Sequence, residues 1–157
     1  MTFFPTPVLV GVDGDAASHH ALVAAAELCR ATGSSLHLVH VALSTGSIRG
    51  RPMTPAQRER TDEEGQQLLG RAVAASADLG VEVAGTHLRY AERLDAGFVE
   101  VQEELGAGLL VIGDGTTGTL ASRLMQAGSG TASAGTVRRS RASVLVVRER
   151  AGMAPTV

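Results

Sequence analysis

A glycine-rich segment, residues 113–131, is the part of this chain best suited to bind an anion. It follows the apolar run of residues 109–112 and precedes residues 132–139, which predict a short helix. Glycine lacks a Cβ, so its backbone N–H can approach an anion closely, and a helix N-terminus adds partial positive charge. A strand, a glycine-rich turn and a helix in this order are typical of a phosphate-binding site.

Two further candidate residues, Asp13 and Val41, lie at the ends of predicted strands. Asp13 follows the apolar residues 8–12, and Val41 ends the apolar run of residues 36–41. Continuous apolar runs of this kind indicate strands buried on both faces. In open α/β sheets the ligand binds at the carboxyl ends of the strands, where the strand order reverses. We therefore expect Asp13, Val41 and the glycine-rich segment to line one crevice.

The order of the apolar runs predicts how the chain positions these residues. Strands are expected at residues 8–12, 36–41, 81–88, 109–112 and 144–147, and helices at residues 18–32, 54–79, 94–105 and 132–139. This alternation predicts an α/β fold, an open five-stranded parallel sheet with helices on both faces, of the Rossmann-like or flavodoxin-like type. The third strand alternates apolar and polar residues more than the others, so we expect it at a sheet edge.

Capping residues mark the ends of the predicted helices. Ser18 is expected to cap the first helix, and Gly33 to close it. Thr54 and Gln57 have the spacing of a capping box, with Pro55 at the first helical position. Gly80 is expected to end this second helix.

Composition and charge exclude several classes of protein. The 157 residues carry a net charge of −2 and only 3% aromatic residues, which argues against a nucleic-acid partner. No apolar run approaches the roughly 20 residues that span a bilayer, and the first seven residues do not resemble a signal peptide. We expect a cytoplasmic protein that contacts no membrane, with one α/β domain over residues 1–150 and a disordered tail over residues 151–157.

Residues that commonly bind metals or act as nucleophiles form no recognisable set. Cys29 lies in an alanine-rich predicted helix, where cysteine packs as a small apolar residue. The histidines do not converge at metal-ligand spacing, so no metal site is expected. Arg138, Arg139 and Arg141 are expected to be solvated cations near a helix C-terminus. Residues 113–118 also fit the G-x-G-x-x-G pattern, but that fingerprint belongs to a first strand–helix turn, so NAD is rejected.

Four stretches have the pattern of a known family: VLVGVDG at residues 8–14, LVHV at 38–41, LLVIG at 109–113 and VLVVR at 144–148. Through them the chain resembles the universal stress protein family over most of its length. The nucleotide-binding branch of that family carries the motif G-x2-G-x9-G-[S/T], which Gly115, Gly118, Gly128 and Ser129 satisfy. Counting back from the last strand favours Gly130 and Thr131 as the pair at the helix start, so two registers of the motif stand open.

The resemblance implies an adenine nucleotide alpha hydrolase-like fold that binds ATP, with or without Mg²⁺. Asp13 would hydrogen-bond the nucleotide near its ribose or adenine, and the backbone of Val41 would contact the adenine edge. The motif glycines, with Ser129 or Thr131, would surround the phosphates. The family also implies a homodimer, which we expect to form through the last strand, Val144 to Val147, because an apolar edge strand favours pairing with a second copy.

The leading functional hypothesis is an ATP-binding regulatory or signalling dimer of the stress response, acting on a protein partner that the sequence does not identify. An interaction module of the same fold that binds no nucleotide is the first alternative. A slow ATPase is the second. No general base or P-loop lysine accompanies the glycine-rich segment, and Asp114 is the one carboxylate within it. We therefore do not expect an evolved enzyme.

Overall fold

The computed structural model describes residues 2–44, 51–114 and 132–148. Within these ranges the chain alternates five strands with four helices. Their bounds are β1 Val8–Gly11, α1 Ala16–Thr32, β2 Leu36–Leu43, α2 Pro55–Asp78, β3 Val83–Ala91, α3 Leu94–Leu105, β4 Leu109–Asp114, α4 Ala132–Arg139 and β5 Ser143–Arg148. The predicted order of elements is confirmed. The predicted tail, residues 151–157, lies outside the described residues.

The strands form one parallel sheet in the order β3-β2-β1-β4-β5. From β1 the chain builds outward through β2 to β3, and then crosses to place β4 on the other side of β1. The strand order therefore reverses between β1 and β4, which is the point where open α/β sheets bind ligands. The predicted fold class is confirmed, and β3 lies at a sheet edge as expected, with β5 at the opposite edge.

The sheet separates two apolar cores. Because successive side chains of a strand point to opposite faces, β1 contributes Val8 and Val10 to one core and Leu9 to the other. The first core is closed by α1 and α2, and the second by α3. All three of these β1 side chains are fully buried, so the sequence pattern of a strand covered on both faces is explained.

The start of α1 differs from the prediction. Asp15, not Ser18, is the N-cap, and its Oδ1 accepts a hydrogen bond of 2.7 Å from the Ser18 N–H. Ser18 lies inside the first turn and is buried, where its hydroxyl donates to the Gly11 carbonyl at 3.4 Å. Aspartate and serine cap helices about equally well, so composition alone did not decide between them.

The other predicted helix ends are confirmed. Gly33 closes α1 with a φ of 71°, a left-handed conformation that suits glycine. The capping box of Thr54 and Gln57 is formed, with Pro55 at the first helical position. Gly80 follows the end of α2 with a φ of 78°.

Gly113 in β4 lies against the first turn of α1. A Cβ on Gly113 would come within 2.4 Å of the Ala17 carbonyl carbon and 2.5 Å of its oxygen. Both are backbone atoms, so no side-chain rotation could relieve the collision. The absence of a side chain at Gly113 thus lets the end of β4 approach the loop between β1 and α1, and brings the two strand ends to one crevice.

Replacing Gly113 with alanine is expected to destabilise the fold by about 3 kcal/mol, because the new methyl group overlaps backbone that cannot move independently. Urea unfolding followed by circular dichroism measures the change. Gly70→Ala is the matched control: nothing lies within 4 Å of its Cβ position, and alanine favours the helix interior, so a gain of about 0.5 kcal/mol is expected. Equal effects of the two substitutions would contradict this packing.

Candidate functional site

Asp13 lies in the turn that connects β1 to α1, at the carboxyl end of the central strand. Its backbone N–H donates to the Ser18 hydroxyl at 3.1 Å, and its carboxylate Oδ1 accepts the Asp15 N–H at 2.9 Å. Gly14 completes the turn with a φ of 85°. Side-chain hydrogen bonds with Asp15 and Ser18 also act on this carboxyl. The Asp13 carboxylate thus builds the turn at the carboxyl end of β1.

The electrostatic setting of Asp13 is unusual for a carboxylate. Burial raises the pKa of the Asp13 carboxyl to about 6, and the neighbouring Asp15 carboxylate adds to the rise. Because the pKa is raised, keeping this carboxyl charged at neutral pH costs the folded protein free energy. Such carboxyls occur often at functional sites, where a ligand supplies the missing hydrogen bonds.

The backbone of Val41 lies at the same end of the sheet, on the β1 side of β2. The last hydrogen bond between the β1 segment and β2 runs from the Val12 N–H to the Val39 carbonyl, at 2.8 Å. Backbone groups alternate sides along a strand, so the N–H and C=O of Val41 face the β1 side two residues further on. The Val12 carbonyl contacts Nδ1 of His40 at 2.7 Å. Val41 therefore offers a donor and an acceptor just beyond the end of β1.

The side chain of Val41 holds this part of β2 in place. It is buried and packs on α3, where a Cβ added to Gly97 would come within 2.5 Å of Val41 Cγ1. The close approach of helix and strand leaves no freedom for the Val41 backbone to shift toward α3. The donor and acceptor at the crevice are thus rigidly placed.

The remaining predicted site residues, Gly115, Gly118, Gly128, Ser129, Gly130 and Thr131, lie outside the described residues. Both registers of the glycine motif therefore stay predictions. The structure does describe the two elements that flank them, β4 ending at Asp114 and α4 beginning at Ala132. At this sheet edge, Arg148 Nε of β5 lies 3.9 Å from Oδ2 of Asp114.

Asp95 positions α4, and sequence analysis missed it. The buried Asp95 carboxylate accepts hydrogen bonds from Arg93 Nε at 3.0 Å and from Arg139 Nε at 2.9 Å. The backbone of α4 approaches it closely, because a Cβ on Gly135 would lie 2.5 Å from Oδ2 of Asp95. Arg139 was predicted to be a solvated cation. It is half exposed, and its Nε also pairs with Asp95, so it joins α4 to α3. An acidic residue in the first turn of α3, next to Arg93, was the available signal.

A cavity of about 250 Å³ opens beside the β1–α1 turn, between α1 and α2. Gly14 and Asp15 form one wall, with His19 of α1 and Arg71 of α2 at the polar positions. Pockets that enclose a small-molecule ligand usually measure about 300–1,000 Å³. The cavity therefore does not by itself enclose a nucleotide, and it adds open space next to the crevice rather than a complete site.

Cys29 and the possible metal ligands are the other groups that could carry chemistry. Cys29 is buried in the first core, and burial raises the pKa of its thiol to about 11, so it packs as predicted. No group of three or more His, Cys, Asp or Glu side chains is arranged to hold a metal ion among the residues described here. Within the same ranges, none of the helices has the length and apolar character to cross a membrane.

An open parallel sheet of order 3-2-1-4-5, covered by helices on both faces, defines a doubly wound α/β protein. The chain belongs to the universal stress protein family, whose family model matches residues 6–148. The resemblance stated from sequence is thus confirmed. No curated protein matches the chain significantly by sequence.

Solved structures of the family share the fold. A protein of the family from Burkholderia pseudomallei is 26% identical with a TM-score of 0.66, covering 90% of this chain and 95% of that one. A universal stress protein from Archaeoglobus fulgidus in complex with dAMP is 22% identical (TM-score 0.63, covering 91% and 98%). A family member from Arabidopsis thaliana with AMP bound is 19% identical (TM-score 0.65, covering 97% of each chain).

Asp95→Asn is expected to lower the free energy of unfolding by about 2 kcal/mol at pH 7, because two charge-assisted hydrogen bonds lose their charged acceptor. Burial alone would raise the pKa of Asp95, but hydrogen bonds from Arg93 and the Ala96 N–H, with the charges of Arg93 and Arg139, outweigh it and lower the pKa below 3.8. A carboxyl with a lowered folded pKa stabilises the fold above its unfolded pKa, and this stability is lost as pH falls through the folded pKa.

Denaturant unfolding between pH 2 and pH 7 measures this effect, and the difference between wild type and Asp95→Asn is expected to shrink below about pH 4. Arg139→Gln should destabilise by about 1 kcal/mol. Arg138→Gln is the matched control on the same helix: Arg138 is exposed, so a change within about 0.5 kcal/mol is expected. Equal losses at Arg138 and Arg139 would contradict the role of Asp95.

Proposed function

We propose that this protein binds an adenine nucleotide at the carboxyl ends of β1, β2 and β4. The observation that carries the proposal is the placement of the partly buried Asp13 carboxylate, with its raised pKa, and the backbone of Val41 at the reversal of strand order. Two solved family members hold an adenine mononucleotide, AMP in one and dAMP in the other, which supports the adenine class.

The described half of the site fits the nucleoside end of such a ligand. Adenine presents an acceptor beside an amino donor on its Watson–Crick edge, and the N–H and C=O of Val41 are the complementary pair. An acidic side chain at the strand ends accepts a ribose hydroxyl in dinucleotide-binding α/β sheets, and the Asp13 carboxylate is the acidic group at the end of β1. A hydroxyl donor would also favour the charged form of this carboxyl and offset the cost of its burial.

In this proposal the glycine motif binds the phosphates of the nucleotide. Gly115, Gly118 and either Gly128 with Ser129 or Gly130 with Thr131 precede α4, and a helix N-terminus with free N–H groups favours phosphate. The Asp95 contacts hold α4 against α3 and so determine where that N-terminus lies. ATP, with or without Mg²⁺, is the full ligand that we propose, and ligand binding is the signal that a regulatory protein partner in the cytoplasm would detect.

Titration calorimetry of nucleotide-free protein with AMP, ADP and ATP, each with and without Mg²⁺, tests the proposal. Asp13→Ala is expected to weaken AMP and ATP by a similar factor, about tenfold or more, because its contact is with the nucleoside. Asp78→Ala is the matched control, an exposed carboxylate at the C-terminal end of α2, and should change affinity less than twofold. Ser129→Ala and Thr131→Ala separate the two registers: only the residue at the helix start should affect ATP binding.

Two results would contradict the proposed nucleotide site. Wild-type protein that gives no heat and no thermal shift with any of these nucleotides would favour the interaction module. Asp13→Ala protein that binds AMP as tightly as wild type would place the nucleoside elsewhere.

We extend the proposal to a homodimer formed through β5. This strand lies at a sheet edge, and Leu145 is 37% exposed there. An uncovered edge strand with an apolar side chain favours pairing with a second copy across a two-fold axis. The dimer would place two crevices in one particle, so that one partner could contact both.

Sedimentation velocity at micromolar concentration tests the dimer. Leu145→Lys is expected to produce monomers, because it places a charge within the proposed interface. Val73→Lys is the matched control: Val73 is also 37% exposed but lies on α2, away from β5. A monomeric wild type, or equal dissociation of both variants, would contradict the proposal.

A further inference from the structure

His37 of β2 and His87 of β3 form an imidazole pair on the face of the sheet that α3 covers. Their ring centroids are 5.8 Å apart, and the ring planes make an angle of 29°. His37 is in register with Gly85 and His87 with Val39, so the two histidines are diagonal neighbours on adjacent strands. Diagonal pairs of this kind are within reach of each other when the side chains are long or aromatic.

An irregularity in the sheet creates this pairing. Leu36 is in register with Val83, but the next residue, His37, is in register with Gly85, so Ala84 is an extra residue in β3. Such bulges redirect the side chains that follow them. Without the extra residue, His37 would lie opposite Ala84, and the next residues of β3 would point to the other face of the sheet. The bulge thus puts Gly85 beside His37 and turns His87 toward the same place.

One nitrogen of each ring is buried without a partner. Nδ1 of His37 and Nε2 of His87 are shielded from solvent, and neither forms a hydrogen bond with any residue in the described ranges. Leaving a buried polar atom unpaired costs about 1–3 kcal/mol. Two such atoms side by side indicate that something other than the described protein atoms satisfies them.

The two nitrogens converge on a small space over Gly85. A Cβ on Gly85 would lie 3.1 Å from Nδ1 of His37 and 3.4 Å from Nε2 of His87. Any other residue would fill this space with its side chain. Zinc–nitrogen bonds measure about 2.0–2.1 Å, so an ion bound between the two nitrogens would lie further from the Gly85 Cα than the Cβ position does.

We propose that His37 and His87 bind a divalent transition-metal ion of the zinc, nickel and copper class in the space over Gly85. Neutral imidazole nitrogens are the ligands that these ions prefer. Burial lowers the pKa of both histidines, and the charges of His37 and Arg89 add to the effect at His87, so both rings are neutral at physiological pH.

Water would complete the coordination of an ion held by the two imidazoles. Glu104 of α3 is paired with Arg89, two residues beyond His87 on β3, and its charge acts on the His87 ring.

This metal site is separate from the proposed nucleotide site. His37 is the second residue of β2, near its amino end, whereas Val41 lies near the carboxyl end. The two proposals are therefore independent, and an ion over Gly85 would brace the edge strand and α3 rather than contact the nucleotide.

Titration of the untagged full-length protein, stripped with EDTA, with zinc chloride tests the site. Calorimetry is expected to give one zinc per chain, and His37→Gln and His87→Gln should each weaken binding by about tenfold or more. Gly85→Ala retains both imidazoles but fills the space between them, so a similar loss is expected. Glu104→Gln should have a smaller effect. His19→Gln is the matched control on α1 and should change affinity less than twofold.

Imidazole NMR spectra of the wild-type protein give a readout that does not depend on any variant folding. Zinc is expected to shift the ring resonances of His37 and His87 and to leave those of His19 unchanged. Zinc binding that survives the His37, His87 and Gly85 substitutions would overturn the proposal. So would wild-type ring resonances that do not respond to millimolar zinc, in which case a bridging water alone satisfies the two nitrogens.

Discussion

The site depends on one structural constraint: β1 ends before its neighbour β2. The last hydrogen bond between the two, from the Val12 N–H to the Val39 carbonyl, leaves the next backbone groups on that side of β2 without a strand partner. The turn that follows β1 then brings the partly buried Asp13 carboxylate to the same place. A carboxylate that is costly to bury destabilises a purely structural turn, and the proposed polar ligand would offset that cost.

The glycine-rich side of the crevice is built by close packing rather than by polar groups. Gly113 lets β4 approach the backbone of α1, and Gly135 lets α4 approach the Asp95 carboxylate. Asp95 in turn joins the start of α3 to Arg139 near the end of α4. Of the two elements that flank the glycine motif, β4 packs on α1 and α4 packs on α3, and these two helices cover opposite faces of the sheet. A movement of either helix would therefore displace one side of the proposed phosphate site.

Sequence reasoning recovered the fold because each strand is a continuous apolar run, and such runs are typical of sheets covered on both faces. It set the ends of β2 and β3 too early, since the strand pairing continues to Leu43 and Ala91. The long-range contacts of Asp95 could not be predicted, because they require knowing that α4 packs on α3. The same holds for His37 and His87, whose approach depends on a bulge that shifts the register by one residue.

Sequence reasoning could place only part of the candidate site. Asp13 and Val41 follow from topology, because the carboxyl ends of adjacent parallel strands meet at one edge. The register of the glycine motif depends on the path of residues 115–131 and stays a prediction. The central claim is tested most directly by carboxyl ¹³C NMR of Asp13 as a function of pH. A pKa near 6 in the free protein, falling when AMP is added, is the result that this account predicts. An Asp13 pKa that is ordinary in the free protein and unchanged by AMP would contradict it.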